Sequence, residues 1–183
     1  AEHCYFLPQL ATTVVEVRIS PDFEGLDGLI IPGGESTSMA KIMDSYNLRN
    51  SIKKFADSGK AIWGTCAGMI LMASELTEDR PKPLGLIDIT VQRNGFGRQI
   101  NSFETDVYLN GLDGGALHVF FIRAPQILHI GEQVQVISSL ADGTIIGVRQ
   151  GNLLATSFHP ELSEDSRMHK YFLELCINQE RLR

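Results

Sequence analysis

The 183 residues carry 43% hydrophobic and 21% charged side chains, with a formal net charge of -6 at pH 7. That length and apolar content suffice for a single domain over 1–183 with its own core, and an acidic balance without a Lys/Arg cluster argues against a nucleic-acid partner. No apolar run approaches the roughly 20 residues of a membrane helix, no secretory signal opens the sequence, and Cys4, Cys66 and Cys176 lack metal-type spacing; the expectation is a soluble, cytoplasmic protein with neither a metal nor a membrane contact.

In chain order, "TTVVEV" (12–17) and "GLIIPGG" (28–34) read as short buried strands, the second ended by proline and glycine. Met39, Ile42, Met43, Leu48, Ile52 and Phe55 then recur at helical spacing, which predicts helix over 37–57 with "DSYN" as an interruption and Gly59 as the stop. "AIWGT" (61–65) is the next strand, and the apolar run 66–76 is expected as a buried helix. Strand and helix in alternation imply a parallel sheet. From 86 to 156 the pattern turns to shorter β-type runs, "LIDITVQ", "FETDVYL", "VFFIRA", "VQVISSL", "TIIGVRQ" and "LLATSF", divided by Gly and Asp turns. Over 164–183, Met168, Tyr171, Phe172, Leu175 and Cys176 fall on one face of a closing helix.

The stretch "GTCAG" (64–68) places Cys66 between glycines at the junction of strand and helix. A tight turn of this kind projects its central side chain and leaves room for a substrate, and a helix N-terminus favours thiolate over thiol. An unpaired cysteine is more often a small buried hydrophobe. The glycines and the junction point instead to a nucleophile at Cys66, while Cys4 and Cys176 keep the packing role.

A thiol nucleophile needs a proton shuttle, and an imidazole needs a group that fixes its tautomer. "SFHPEL" (157–162) offers His159 and Glu161, which project to one side of an extended stretch around Pro160. His3, His118, His129 and His169 have no such setting and are read as surface or packing residues. "PGGEST" (32–37) brings backbone N–H groups to the end of a strand, where Gly34 or its neighbour, together with Ala67, suits an oxyanion; a plain turn with Ser36 or Thr37 as helix cap is compatible with that. Arg93 in "QRNGFGRQ" (92–99) and Arg123 in "FIRAP" (121–125) stand at strand ends, available to a substrate carboxylate, to a protein interface or to solvent.

Taken together, "PGGEST", "GTCAG", "QRNGFGRQ", "FIRAP" and "SFHPEL" resemble the glutaminase subunits of pyridoxal 5′-phosphate synthase, a family of class I, triad-type glutamine amidotransferases. The resemblance runs over nearly the whole chain. It implies a flavodoxin-like three-layer α/β/α sandwich with a mixed, mostly parallel sheet. It implies L-glutamine hydrolysis through a thioester on Cys66, with His159 passing the proton, Glu161 orienting the ring, and no cofactor. By the same resemblance Gly34, Glu35, Ser36, Arg93, Ile122 and Arg123 form the glutamine pocket. The ammonia would pass to a (β/α)₈-barrel synthase subunit, without which the glutaminase is nearly idle.

Members of that family begin with a strand and a glycine-rich loop ahead of an "EH" pair, whereas here Glu2-His3 open the sequence and Pro8 falls inside the first helix. The expectation is a sheet lacking its first strand here and a native polypeptide extending upstream by about a dozen residues. A related cysteine hydrolase or peptidase on the same fold, and a catalytically impaired regulatory subunit, are the competing readings. The acid of an α/β-hydrolase precedes its histidine, and Glu161 follows His159.

Overall fold

The computed structural model describes residues 2–10, 12–95 and 102–178. The first half of the chain runs α1 (His3–Gln9), β1 (Gly28–Ile31), α2 (Ser36–Ser45), α3 (Leu48–Asp57), β2 (Ala61–Thr65), α4 (Ala67–Met72), β3 (Ala73–Leu76) and β4 (Ile87–Gln92). The second half runs β5 (Ser102–Val107), β6 (Leu117–Ile122), β7 (Gln126–Ile130), β8 (Gln135–Ser139), β9 (Ile145–Gln150), β10 (Leu153–Thr156) and α5 (Arg167–Asn178).

Every residue of β2 is buried, because β2 lies between β1 and β10, both parallel to it, and is covered on both faces. The sheet continues antiparallel through β9 to β8, in the order β1-β2-β10-β9-β8. Alternation along β2 divides the interior. Ile62 faces Leu29, Met43, Ile52 and Met69 in a core under α2, α3 and α4, whereas Ala61 and Trp63 face Met168, Phe172 and Leu175 of α5. This is the three-layer α/β/α sandwich with a mixed sheet expected from the sequence, and it is consistent with a flavodoxin-like arrangement. A three-stranded sheet β3-β4-β7 and the hairpin β5-β6 are added to it.

Two expectations are corrected. Residues 12–17 join no sheet among the described residues: they carry no regular secondary structure and are half-buried or exposed, with Val17 alone among them packed against the core. A β-type pattern becomes a strand only where a neighbouring edge accepts its hydrogen bonds, and among the described residues β1 pairs with β2 alone. The helix expected over 66–76 ends at Met72, and Ala73–Leu76 forms β3, parallel to β4. An apolar run buried on all sides does not reveal by periodicity where helix gives way to strand. The expected break in the first helical segment falls at Tyr46 and Asn47, between α2 and α3. Pro8 lies inside α1, whose seven residues bury His3 and Phe6.

Three parallel strands therefore present their carboxyl ends side by side. β1 leads into "PGGEST", β2 into Cys66 and β10 into "SFHPEL". In open α/β sheets this is the end where ligands bind.

Candidate active site

The elbow follows from close packing. Cys66 takes φ 48 and ψ -103, a conformation L-residues seldom adopt, directly before α4. Its backbone N–H donates to the Thr156 carbonyl at 2.8 Å, which locks the turn to β10. A Cβ on Gly64 would lie 2.6 Å from the backbone carbon of Gly68, and one on Gly68 would run into the Ile31 carbonyl. Both glycines of the motif are thus required for α4 to sit against β1 and β2. Cys66 is 6% exposed, and its thiol points toward the Ile122 carbonyl at 3.8 Å.

His159 is brought to Cys66 from β10. Its backbone N–H donates to the Phe120 carbonyl of β6 at 2.8 Å, so the hairpin braces the loop. Nδ1 of the ring lies 2.8 Å from Oε1 of Glu161. A carboxylate only accepts, so Nδ1 carries a hydrogen, and Cys66 is near enough to be, with Glu161, one of the two groups that raise the ring's pKa. Burial pulls the His159 pKa down, but the bonds to Cys66 and Glu161 and the charges on both outweigh it and hold it up at about 10. The pairing of His159 with Glu161 expected from the sequence is present, in a different backbone form: Pro160–Leu162 is a 3-10 turn and not an extended run. Glu161 is itself buried; desolvation raises its pKa, and the bond from His159 and the nearness of His3 and His159 bring it below the usual carboxylate value.

The "PGGEST" loop forms the facing wall. A Cβ on Gly33 would strike the His159 ring, 3.0 Å from Nδ1 and closer still to Cε1. Gly34 takes φ 148. The helix cap is Glu35, and neither Ser36 nor Thr37: its carboxylate accepts from the Thr37 and Ser38 N–H groups at 2.9 and 2.7 Å and from the Ser38 hydroxyl. The bonds from Ser38 and Thr37 depress its pKa to about 2. That frees Ser36, which is 2% exposed with a hydroxyl that finds no partner among the described residues. The Arg93 guanidinium reaches across to Glu35 at 3.3 Å while its buried Nε stays unpaired. Ser36 and Arg93 thus each bury a polar atom without a partner among the described residues.

Ile122 closes the site through its carbonyl, and Arg123 follows at φ 45 with an exposed side chain. Residues 96–99 of the "QRNGFGRQ" motif lie outside the described residues. Among the described residues no group of three or more His, Cys, Asp or Glu side chains is arranged to hold a metal ion, and no helix is long and apolar enough to cross a membrane. Cys176 is buried with its thiol pKa pushed up to about 12 by desolvation, as fits a packing residue; Cys4, expected to be buried, is exposed.

Sequence reasoning missed His3 and His169. Both are buried and polar-bonded behind Glu161, with His3 Nε2 3.5 Å from Glu161 Oε2. His3 is 156 residues from His159 along the chain, and only the "EH" pair of the resembling family marked its position.

Elbow and sheet together define a class: thiol-dependent hydrolases and amidotransferases that work at the carboxyl ends of parallel strands. The chain belongs to the SNO glutamine amidotransferase family, whose profile matches residues 1–178. A protein of Dehalococcoides mccartyi named pyridoxal 5'-phosphate synthase subunit PdxT is 52% identical over 177 residues, 96% of this chain and 91% of that protein. A protein of the same name from Salinispora tropica is 47% identical over 180 residues, 95% of this chain and 90% of that one. A crystal structure of a glutamine amidotransferase superimposes with a TM-score of 0.89 at 46% identity, covering 96% of this chain and 92% of that chain.

Proposed function

We propose that the chain is a glutaminase that hydrolyses L-glutamine to L-glutamate and ammonia with Cys66, His159 and Glu161 as catalytic triad, and that it supplies the ammonia to a pyridoxal 5′-phosphate synthase subunit. The carrying observation is the line from the Cys66 elbow through His159 to the Glu161 carboxylate, 2.8 Å behind the ring. Cys66 Sγ, its proton taken up by His159, adds to the carboxamide carbon, and the carbonyl electrons move onto oxygen. The N–H groups of Gly34 and of Ala67, which opens α4, receive that oxyanion. His159 then protonates the departing nitrogen, the C–N bond breaks, and ammonia leaves a glutamyl thioester. Water attacks the thioester as His159 takes its proton, the C–S bond breaks, and glutamate departs with that proton returned to the Cys66–His159 pair.

Glu161 keeps the ring in the tautomer that presents Nε2 throughout. Glu35 and Arg93, of opposite charge and 3.3 Å apart, match the amino and carboxylate groups of the amino-acid end, while Ser36 and the Ile122–Arg123 backbone complete the pocket. No step calls for a cofactor. The partner is a (β/α)₈ barrel that receives ammonia from the strand ends, and the setting is a reducing cytoplasm in which Cys66 is not oxidised.

The test is glutamate and ammonia release from L-glutamine, with and without the purified synthase subunit. Turnover that rises sharply with the partner and vanishes in Cys66→Ala supports the proposal. Cleavage of peptides in preference to glutamine, or turnover by Cys66→Ala, overturns it.

A further inference from the structure

Behind the triad, three buried groups from distant parts of the chain meet at the carboxylate oxygen that His159 does not use. Glu161 Oε2 has no hydrogen-bond partner at ordinary distance, and His3 Nε2, from α1, approaches it at 3.5 Å. The same nitrogen lies 3.3 Å from Thr65 Oγ1, at the end of β2 one residue before Cys66. The other ring nitrogen, His3 Nδ1, is 3.0 Å from Nε2 of His169 on α5. Nδ1 of His169 is buried without a partner.

One placement of hydrogens leaves no buried N–H of these rings without an acceptor. A bare His3 Nε2 would set a lone pair against a carboxylate, so Nε2 carries the hydrogen and is shared between Glu161 and Thr65. His3 Nδ1 is then an acceptor, and the hydrogen between the two rings belongs to His169 Nε2. His169 Nδ1 is left bare, and a bare nitrogen is the form that loses least by having no partner. The surroundings keep both rings neutral. His169 stacks on Phe6 at 4.8 Å and meets the edge of Trp63 at 5.3 Å, and desolvation, helped by His3, lowers its pKa to about 4. His3 is lowered as well, by desolvation first. The titratable groups facing His3 are Glu161 and His159 from the turn after β10, His169 from α5, and Glu2 beside it on the chain.

We propose that His3 is a positioning residue of the active site: its Nε2–H holds the second oxygen of Glu161, with His169 fixing the His3 tautomer, so that Oε1 stays aimed at His159. The proposal rests on the triad reading above. On this reading the 3.5 Å approach shortens when substrate binds, in the way catalytic hydrogen bonds tighten in the reacting complex. It also explains why a short helix remote in sequence is seated against the strand end that carries the nucleophile.

Two variants and one spectrum test it. His3→Phe keeps a ring of similar size without the donor, and His3→Gln keeps an N–H near the place of Nε2. With the synthase subunit present, His3→Phe should lower kcat about 10- to 100-fold, the scale of a lost hydrogen bond to a charged group, with KM little changed. Its kcat/KM should also lose its alkaline limb at lower pH than wild type, because a loosened Glu161 holds the His159 proton less well. His3→Gln should restore most of both. Wild-type kcat and limb in a folded His3→Phe, or equal loss in the two variants with the limb unmoved, overturns the proposal.

Long-range proton–nitrogen spectra of the unmodified protein provide a readout that needs neither variant folding nor turnover. His3 should carry a proton on Nε2 at pH 7, and His169 should be the neutral Nε2–H tautomer. A His3 without a proton on Nε2 overturns the positioning role whether or not the chain is a glutaminase, whereas an inactive wild type overturns the triad reading alone.

Discussion

Gly33→Ala tests how closely the "PGGEST" loop sets the imidazole. Gly33 requires no left-handed backbone, so the effect of the new methyl is purely one of contact. The added Cβ would lie 3.0 Å from His159 Nδ1 and nearer to Cε1, where ordinary contact begins at 3.4 Å. Relief demands that the ring retreat on the order of 1 Å, a displacement that typically costs about 10²-fold in rate, or about 2.7 kcal/mol of barrier. That movement also draws Nδ1 away from Glu161, now at 2.8 Å. Overpacking costs about 1 to 3 kcal/mol of stability, partly offset by about 0.4 to 1 kcal/mol from the less flexible unfolded chain. The variant should therefore fold, melt a few degrees lower, and release glutamate about a hundredfold more slowly at saturating glutamine and synthase subunit. A folded Gly33→Ala with wild-type kcat would refute the idea that this loop fixes the ring.

Cys66→Ala should abolish turnover and leave the melting temperature within a few degrees of wild type, since the thiol's contact with the Ile122 carbonyl is a long one; an electrophilic glutamine analogue should add mass at Cys66 and spare Cys176, as peptide mass mapping will show. Glu161→Gln removes the charge that helps hold the His159 proton, so the alkaline limb of kcat/KM, expected near pH 10, should move toward neutrality as kcat falls. Because the folded-state pKa of His159 is raised, its contribution to stability is fully present below its ordinary value of 6.5 and is lost as pH rises toward about 10. Unfolding midpoints of wild type and His159→Gln should accordingly converge over that window, and a gap that widens with pH would contradict the assignment.

The parts of the site built from local chemistry were legible in the sequence. Gly64, Cys66 and Gly68 announce a turn because each answers a contact within a few residues or with the adjacent strand, and His159 with Glu161 are two residues apart. What depended on tertiary pairing was hidden. "QILHI" becomes β7 only through β4, "ASEL" becomes β3 for the same reason, and "TTVVEV" finds no edge to join. His3 and His169 stand 166 residues apart, and nothing in the composition around either one signals that the two rings meet. Glu35 was assigned to the pocket without its second task as helix cap, since a carboxylate two and three residues ahead of its N–H donors looks the same in sequence whether it binds ligand or backbone.

The chain has a single tryptophan, and it lies in this interior cluster: Trp63 is fully buried, donates to Thr156 Oγ1 at 3.1 Å, and has its ring center 5.4 Å from that of His3 and 5.3 Å from that of His169. An imidazolium quenches indole emission at such range, whereas a neutral ring does so far less. The protein consequently carries its own optical reporter, three residues before Cys66 on the strand that leads into it. Its fluorescence follows the charge state of the hidden rings during acidification, and any rearrangement that a docking subunit imposes on them, without a label.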